Sequence, residues 1–401
     1  MKATLPSFGE FIALLAMLSS LTALSIDAML PAFGQIGHDL GTLHDNQTQL
    51  IVSTLFLGIG SGQLFIGPLS DALGRKPLMY LGLGLFMFGS VLAMLAQDFN
   101  HILLGRFLQG LGASAPRVLT AALVRDCYSG NGMARVMSFT MTVFVLVPIL
   151  APSVGQVILL VANWRYIFAL FLLLALIVLL WFKLRMPETL SPDKRRPFTL
   201  TYIRDGLLTV LTHRTTMIYT VAAGLTFGAF LGYLNSAQQI LQEQYALGNQ
   251  FALYFALLAL GIGSASFING RAVMHYGMYR ITQTASISMA VLAGVLWIIA
   301  WQTNGHPPLP IFLSFMGMIF LCLGLQFGNI NALAMEPLGH MAGMAASVIG
   351  SLSTLISIPL GTFIGQQYHH SVIPLVSGFF AAGLIVSLLI RWGRPRPTIQ
   401  P

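Results

Sequence analysis

Charge is scarce in this chain. Asp, Glu, Lys and Arg make up 8% of its 401 residues, whereas a soluble domain carries about 25%. So few charges exclude a soluble globular protein. Cysteine is scarcer still. The two in the sequence are Cys127, in a predicted loop, and Cys322, in a predicted span; we expect neither a disulfide nor a cysteine metal site. Long polar segments are missing as well, which leaves no room for the extramembrane domains of a receptor or scaffold. There is no HExxH pair, no GxSxG elbow and no GxxxxGKS/T phosphate loop, so the common catalytic constellations and an ATP-driven pump are excluded. No enzyme is expected.

What is present is apolar. Hydrophobic residues are 56% of the chain and the mean hydropathy is +0.79. Continuous apolar runs of about 20 residues recur, each long enough to cross a bilayer as a helix. Their continuity, without strand-like alternation, selects helices over a barrel. We place about twelve spans, near 9–30, 48–68, 78–96, 102–124, 138–160, 165–183, 216–240, 251–273, 280–301, 311–334, 342–364 and 372–391. The fold class is therefore an all-α integral membrane protein.

Almost every base then falls on one side of the bilayer: Lys2, Arg75, Lys76, Arg125, Arg135, Lys183, Arg185, the Lys194–Arg196 run, Arg204, Arg214, Arg271, Arg280, Arg391, Arg394 and Arg396, with Arg165 opposite. The positive-inside rule makes the crowded side cytoplasmic and puts both termini there. The net charge of +8 is thus a topology signal, and no nucleic-acid partner is expected. The first run holds Asp27 and has no basic leader beyond Lys2, so we read it as a retained span rather than a signal peptide.

The longest polar interruption divides the spans six and six. We set an N-terminal half at 1–183, a cytoplasmic linker at 184–215 and a C-terminal half at 216–401. Leu200, Ile203, Leu207, Leu208 and Leu211 suggest a short amphipathic helix in the linker. A weak internal repeat supports two halves. GPLSDALGRKP (Gly67 to Pro77) follows span two, and GRAVMHYGMYR (Gly270 to Arg280) follows span eight. Gly67 matches Gly270 and Gly74 matches Gly277, whereas Met274 stands where the first copy has Asp71. Gly58, Gly60, Gly62, Gly261 and Gly263 offer close helix contacts. Pro148, Pro152 and Pro359 are expected to bend their spans.

In GPLSDALGRKP, Asp71, Arg75 and Lys76 with Asp126 form either a cytoplasmic latch or ordinary topology-fixing charges. Glu336 with Arg271 is the matching candidate in the second half. Taken together, the motifs resemble those of the major facilitator superfamily, and most of all its twelve-span drug:proton antiporters of the Bcr/CflA type. GPLSDALGRKP resembles the family's loop motif, LLGRFLQGLGASA (Leu103 to Ala115) its span-four motif, VPILAPSVGQ (Val147 to Gln156, with Pro148, Pro152 and Gly155) its antiporter motif, SIDAMLP its acidic span-one position and NWRYIF the start of span six. The antiporter motif departs from the pattern, with Ala151 before Pro152 and Gln156 after Gly155. The resemblance implies two rocking six-helix halves in a bacterial-type inner membrane.

That resemblance gives Arg106 a role in proton coupling, with Asp27 as the partner to test; the alternative is a structural arginine bonded to carbonyls. Arg117 lies about 20° around the helix from Arg106 and about 16 Å along it. It is open between facing a substrate and bonding the carbonyls that Pro116 frees. In the second half, Phe227, Phe230, Tyr233, Asn235, Gln238, Gln326, Asn329 and Asn331 form a candidate substrate cavity, with helix bridging as the alternative for each amide. Met274, Met278, His340 and Met344 are tempting metal ligands, but core methionine is common gap filling, and no metal is expected. The reading is a proton-coupled exporter of small organic molecules, with a small-molecule substrate, protons and the lipid bilayer as partners. It acts as a monomer and needs no cofactor beyond the proton gradient. An importer of a small nutrient, a vitamin such as riboflavin or copper, is the alternative.

Overall fold

The computed structural model describes residues 6–195 and 199–394. Lys2, Arg196 and Arg396 of the basic set lie outside the described residues, as do the side chains of Lys194, Leu200 and His340. The described residues are mainly helical: α1 (Phe8–Asp27), α2 (Phe33–Asp39), α3 (Leu50–Leu73), α4 (Arg75–Met94), α5 (Phe99–Cys127), α6 (Gly130–Val161), α7 (Arg165–Arg185), α8 (Leu200–Thr212), α9 (Arg214–Gln238), α10 (Phe251–Gln302), α11 (Leu309–Met335), α12 (Ala342–Gln366) and α13 (Ile373–Trp392). Among the described residues, ten stretches are long and apolar enough to cross a membrane. One of them contains α10, which breaks at Gly277 (φ 75°, ψ 155°) into spans eight and nine. With α6, whose apolar part is Leu146–Val161, this accounts for the twelve spans read from the sequence.

Local chemistry sets the helix ends. Ser7 accepts from the Glu10 N–H at the start of α1, and Asp98 accepts from the His101 N–H at the start of α5 at 3.0 Å; both are N-caps that satisfy orphan amides. Span one is not one helix. It stops at Asp27, turns through Leu30–Ala32 and resumes as α2. Pro31, which lacks an N–H, sits in the turn. Gly74 joins α3 to α4 at φ 106° and ψ 161°, a conformation open to glycine and strained for other residues. Gly277 repeats that backbone geometry, so the internal repeat survives in the chain path after its charges have been lost. Beyond Gln238, α9 widens into a π-helical segment, Gln239–Gln244.

The residues pack as two compact units. One comprises the chain up to Ile203 with Ala237–Ala256, and the other Arg204–Ser236 with the chain from Leu257 on. The stretch from Ala237 joins the first unit through amides: Gln239 accepts from Gln49 at 2.5 Å and donates to Asn46 at 2.8 Å. In the linker, the buried stripe of α8 is Ile203, Gly206 and Val210, whereas Leu208 and Leu211 are exposed.

Glycine allows the closest helix contacts. In the first unit α5 packs against α3 and α4. A Cβ at Gly58 would meet Phe107 O, one at Gly110 would meet Leu55 O, and one at Gly112 would meet the Phe86 backbone. In the second unit Gly224, Gly228 and Gly232 form a stripe with four-residue spacing against α12, where Ile356, Leu360 and Ile364 fill the groove. Such small-residue seams let membrane helices gain dispersion contact without a hydrophobic driving force. Gly110→Ala is expected to destabilise the first unit by about 1–3 kcal/mol through overpacking. At Gly84 of α4 a Cβ would meet nothing within 4 Å, and Gly84→Ala is expected to stabilise by roughly 0.5–1 kcal/mol. Thermal unfolding of both variants in detergent, with opposite signs expected, checks this.

Candidate functional site

Arg106 is fully buried. Its Nη2 donates to Ser25 O at 2.9 Å, its Nε to Ile51 O at 3.3 Å and its Nη1 to Gln109 Oε1 at 2.6 Å. The reason lies in how α1 ends. The helix stops at Asp27, so its last carbonyls have no N–H four residues on. Leu24 O is taken by the Ala28 N–H, and Ser25 O is taken by the guanidinium. A cation at a helix C-terminus is also favoured by the macrodipole. Gln109 in turn donates to Ser90 Oγ at 2.8 Å, which ties α4 to the cluster.

Asp27 is the last residue of α1 and is 5% exposed. Among the described residues no ion pair joins it to Arg106, and its carboxyl has no hydrogen-bond partner. Asp27, the partner to test, does not bond Arg106 directly; the arginine grips the backbone of the helix end that carries the acid. Span five covers the same point. Gly155 lies so close to Ala28 that a Cβ would run into Ala28 O. Ala151, one turn earlier, is fully buried, so the departure from glycine there keeps a small residue inside the helix packing. Pro148 and Pro152 both lie inside α6.

At the basic end of the spans, Arg75 organises the first unit's charges. It is 5% exposed and bonds Asp71 Oδ1 at 2.6 Å, Asp126 Oδ2 at 3.0 Å and Ser70 Oγ at 2.6 Å. Ser70 donates onward to Gly67 O. The linker completes the network. Glu188 accepts from the Arg75 and Lys76 N–H groups at 2.9 and 3.0 Å, capping the start of α4 where the dipole favours an anion. Thr189 donates to Asp126 at 3.0 Å, and Lys76 Nζ donates to Met186 O at 2.6 Å and Lys183 O at 3.1 Å. A Cβ on Gly74 would strike the Glu188 carboxylate. Glycine is thus required there twice, for φ and for space.

Among the described residues, the second unit has no matching charge network. Arg271 and Glu336 are both exposed, and among the described residues no ion pair joins them. The reason is in the repeat. Met278 follows Gly277 where Arg75 follows Gly74, and Met274 replaces Asp71, so the Asp71 and Arg75 charges of the first copy have no counterpart. The candidate cavity residues divide by chemistry. Phe227, Phe230 and Tyr233 gather with Phe320 and Phe327 of α11, with centroid separations from 4.8 Å (Tyr233–Phe320) to 6.3 Å (Phe230–Tyr233). The amides bridge or back-bond. Asn235 donates to Gly361 O. Gln326 accepts from Thr226 and Ser286 and donates to Cys322 O. Asn329 pairs with Asn269 at 2.7 Å, and Asn331 bonds Phe327 O in its own helix. Gln238 packs with the first unit instead and donates to Gln242 and Glu243. Arg117, on α5, is exposed and has no bonded partner among the described residues.

The model of the Major Facilitator Superfamily matches residues 13–362. The chain belongs to that superfamily. Among its relatives, the bicyclomycin resistance protein homolog of Haemophilus influenzae is 29% identical over 94% of each chain. The multidrug resistance protein MdtL of Klebsiella pneumoniae is 26% identical over 91% of this chain and 90% of its own. The xylose transporter XylE from E. coli has the same fold, with a TM-score of 0.73 at 12% identity, covering 98% of this chain and 99% of that one.

For this superfamily member, sequence reasoning named Arg106, Arg75 and Asp126 but missed Gln109, Ser25, Ser90, Glu188 and Thr189. Gln109 stood in the quoted motif, one turn from Arg106, and that spacing was a usable signal. Glu188 had none, because its partners are backbone amides more than a hundred residues away. Gln109→Leu leaves the Arg106 Nη1 without its acceptor, while Ser90 loses the Gln109 amide but keeps its own bond to Phe86 O. It is expected to cost about 1–3 kcal/mol, read as a lowered unfolding temperature.

Proposed function

We propose that this chain is a proton-coupled secondary transporter that exports small organic molecules, a multidrug or antibiotic efflux protein of the Bcr/CflA type working by alternating access. The observation that carries the reading is Asp27, a buried acid at the broken end of span one in a superfamily member, with no bonded partner among the described residues. A carboxyl so placed can take up and release a proton as its surroundings change, and Arg106 fixes the helix end that presents it. The names of the relatives, a bicyclomycin resistance homolog and a multidrug resistance protein, support export over nutrient import.

The remaining roles follow from the geometry. The aromatic rings of α9 and α11 offer an apolar face to a substrate. The Arg75–Asp71–Asp126 network, with Glu188, acts as a cytoplasmic latch that favours one conformation. The moving parts are the six-span halves at 1–183 and 216–401, joined by the linker at 184–215. The distribution of bases supports a bacterial-type inner membrane with both termini cytoplasmic. The proton gradient supplies the energy, and a monomer suffices.

The test uses purified protein in liposomes with an internal pH dye, an imposed proton gradient and a panel of antibiotics. The wild type is expected to move protons opposite to the compound. In Asp27→Asn the compound-triggered proton flux should fall at least tenfold while compound binding persists. Protons moving with the compound would replace export by import, and a carried compound with no proton movement in the wild type would remove Asp27 from the mechanism.

A further inference from the structure

Two arginines lie inside the spans of the first unit, and their circumstances are opposite. Arg106 has three acceptors. Arg117 is exposed and bonds nothing among the described residues. It sits eight residues before Arg125, about 12 Å from that end of α5, too far for its side chain to snorkel out. It shares a face with Arg106, within about 20°, and Arg106 looks toward α1 and α3. Leu104, an exposed apolar residue of α5, is about 140° away around the helix. Arg117 therefore does not share the outward face that carries Leu104. A charge at this depth points to a wet, functional space.

Internal partners are spoken for. Pro116 frees the carbonyl of Gly112, yet that oxygen lies against Gly82, and Pro116 O is taken by Thr120 Oγ1 at 2.7 Å. Among the carboxylates of the unit, Glu10 is held by Arg185, Asp39 by Trp164 and Arg165, and Asp71 and Asp126 by Arg75. Glu188 is held by backbone amides. Asp27 belongs to the level of Ser25 and Arg106, while Arg117 lies beyond Ala113, which meets Thr22, farther along α5 in the direction away from Asp27.

We infer that Arg117 is the recognition point for the oxyanion of an organic anion, a carboxylate or a group of similar shape, carried by this protein. The proposal rests on the transporter reading. The planar guanidinium presents two parallel N–H donors to a carboxylate, and among the described residues no carboxylate bonds them. The substrate class is thus organic acids, rather than the lipophilic cations that a lone Asp27 would attract.

The probes are naphthoate and its uncharged analogue naphthamide, with equilibrium binding measured on purified protein in nanodiscs. Wild type is expected to bind naphthoate at least tenfold more tightly than naphthamide. Arg117→Gln should erase that preference and leave naphthamide binding unchanged. Arg117→Lys, which keeps the charge but not the fork, should retain part of it, and the melting temperature of each variant shows that it is folded. Nanodiscs of phosphatidylcholine alone and with phosphatidylglycerol separate a soluble anion from a lipid phosphate. The same preference in both supports the inference. Equal affinity for the two probes in wild type, a preference that survives Arg117→Gln, or an Arg117 effect confined to phosphatidylglycerol retention would overturn it. Because binding is read without a proton gradient, failure of the export reading leaves this result interpretable.

Discussion

A guanidinium closed over the loose end of a helix holds the first unit together. Arg106 has no carboxylate to neutralise it; it lies among carbonyl dipoles from Ser25 and Ile51 and the amide of Gln109. A buried cation survives only where such dipoles replace water. The arrangement depends on α1 stopping where it does, because a continuous helix would have used Ser25 O itself. The break at Asp27, the proline turn after it, the glycine of α6 that covers it and the arginine that clasps it form one mechanical assembly.

The basic end of the unit works by a different device. There a single arginine, Arg75, draws two acids from two helices, and the linker's Glu188 seals the adjoining helix start. The network gathers donors and acceptors from two helices, a loop and the linker, so moving the linker or the loop exposes several partners at once. Such a concentration of partners supports the proposed latch. In the second unit the corresponding glycine turn is kept without the charges. The backbone motif is therefore separable from the electrostatics built on it in the first half.

Much of the fold was legible because span length, charge sidedness and glycine turns act locally along the chain. The twelve spans and the repeat at Gly74 and Gly277 are both of that kind. What stayed hidden depends on contacts across sequence distance. No pattern near Glu188 announces that its oxygens will meet amides at Arg75 and Lys76. The amides of Asn235, Gln326 and Asn329 read equally well as pocket or bridge, and only their acceptors at Gly361, Cys322 and Asn269 show what they hold. The Gly224–Gly228–Gly232 stripe was visible as spacing but was obscured by the aromatic residues between its members. Asp27 stood out as the partner to test for Arg106 because side-chain charge is conspicuous in a sequence, whereas a terminating helix with a free Ser25 carbonyl is not.

The aromatic cluster of the second unit has a consequence over evolutionary time. Phe227, Phe230, Tyr233, Phe320 and Phe327 touch one another through rings alone, with no charge and no coupling acid among them. Exchanges among large apolar side chains at such positions alter contour and leave charge balance untouched. In the proposed exporter, selection by a new toxic compound can therefore work on the contour of one unit while the acid proposed for coupling, on a helix of the other, is inherited unchanged. On that proposal a lineage can widen or shift its repertoire by single substitutions without passing through an uncoupled ancestor.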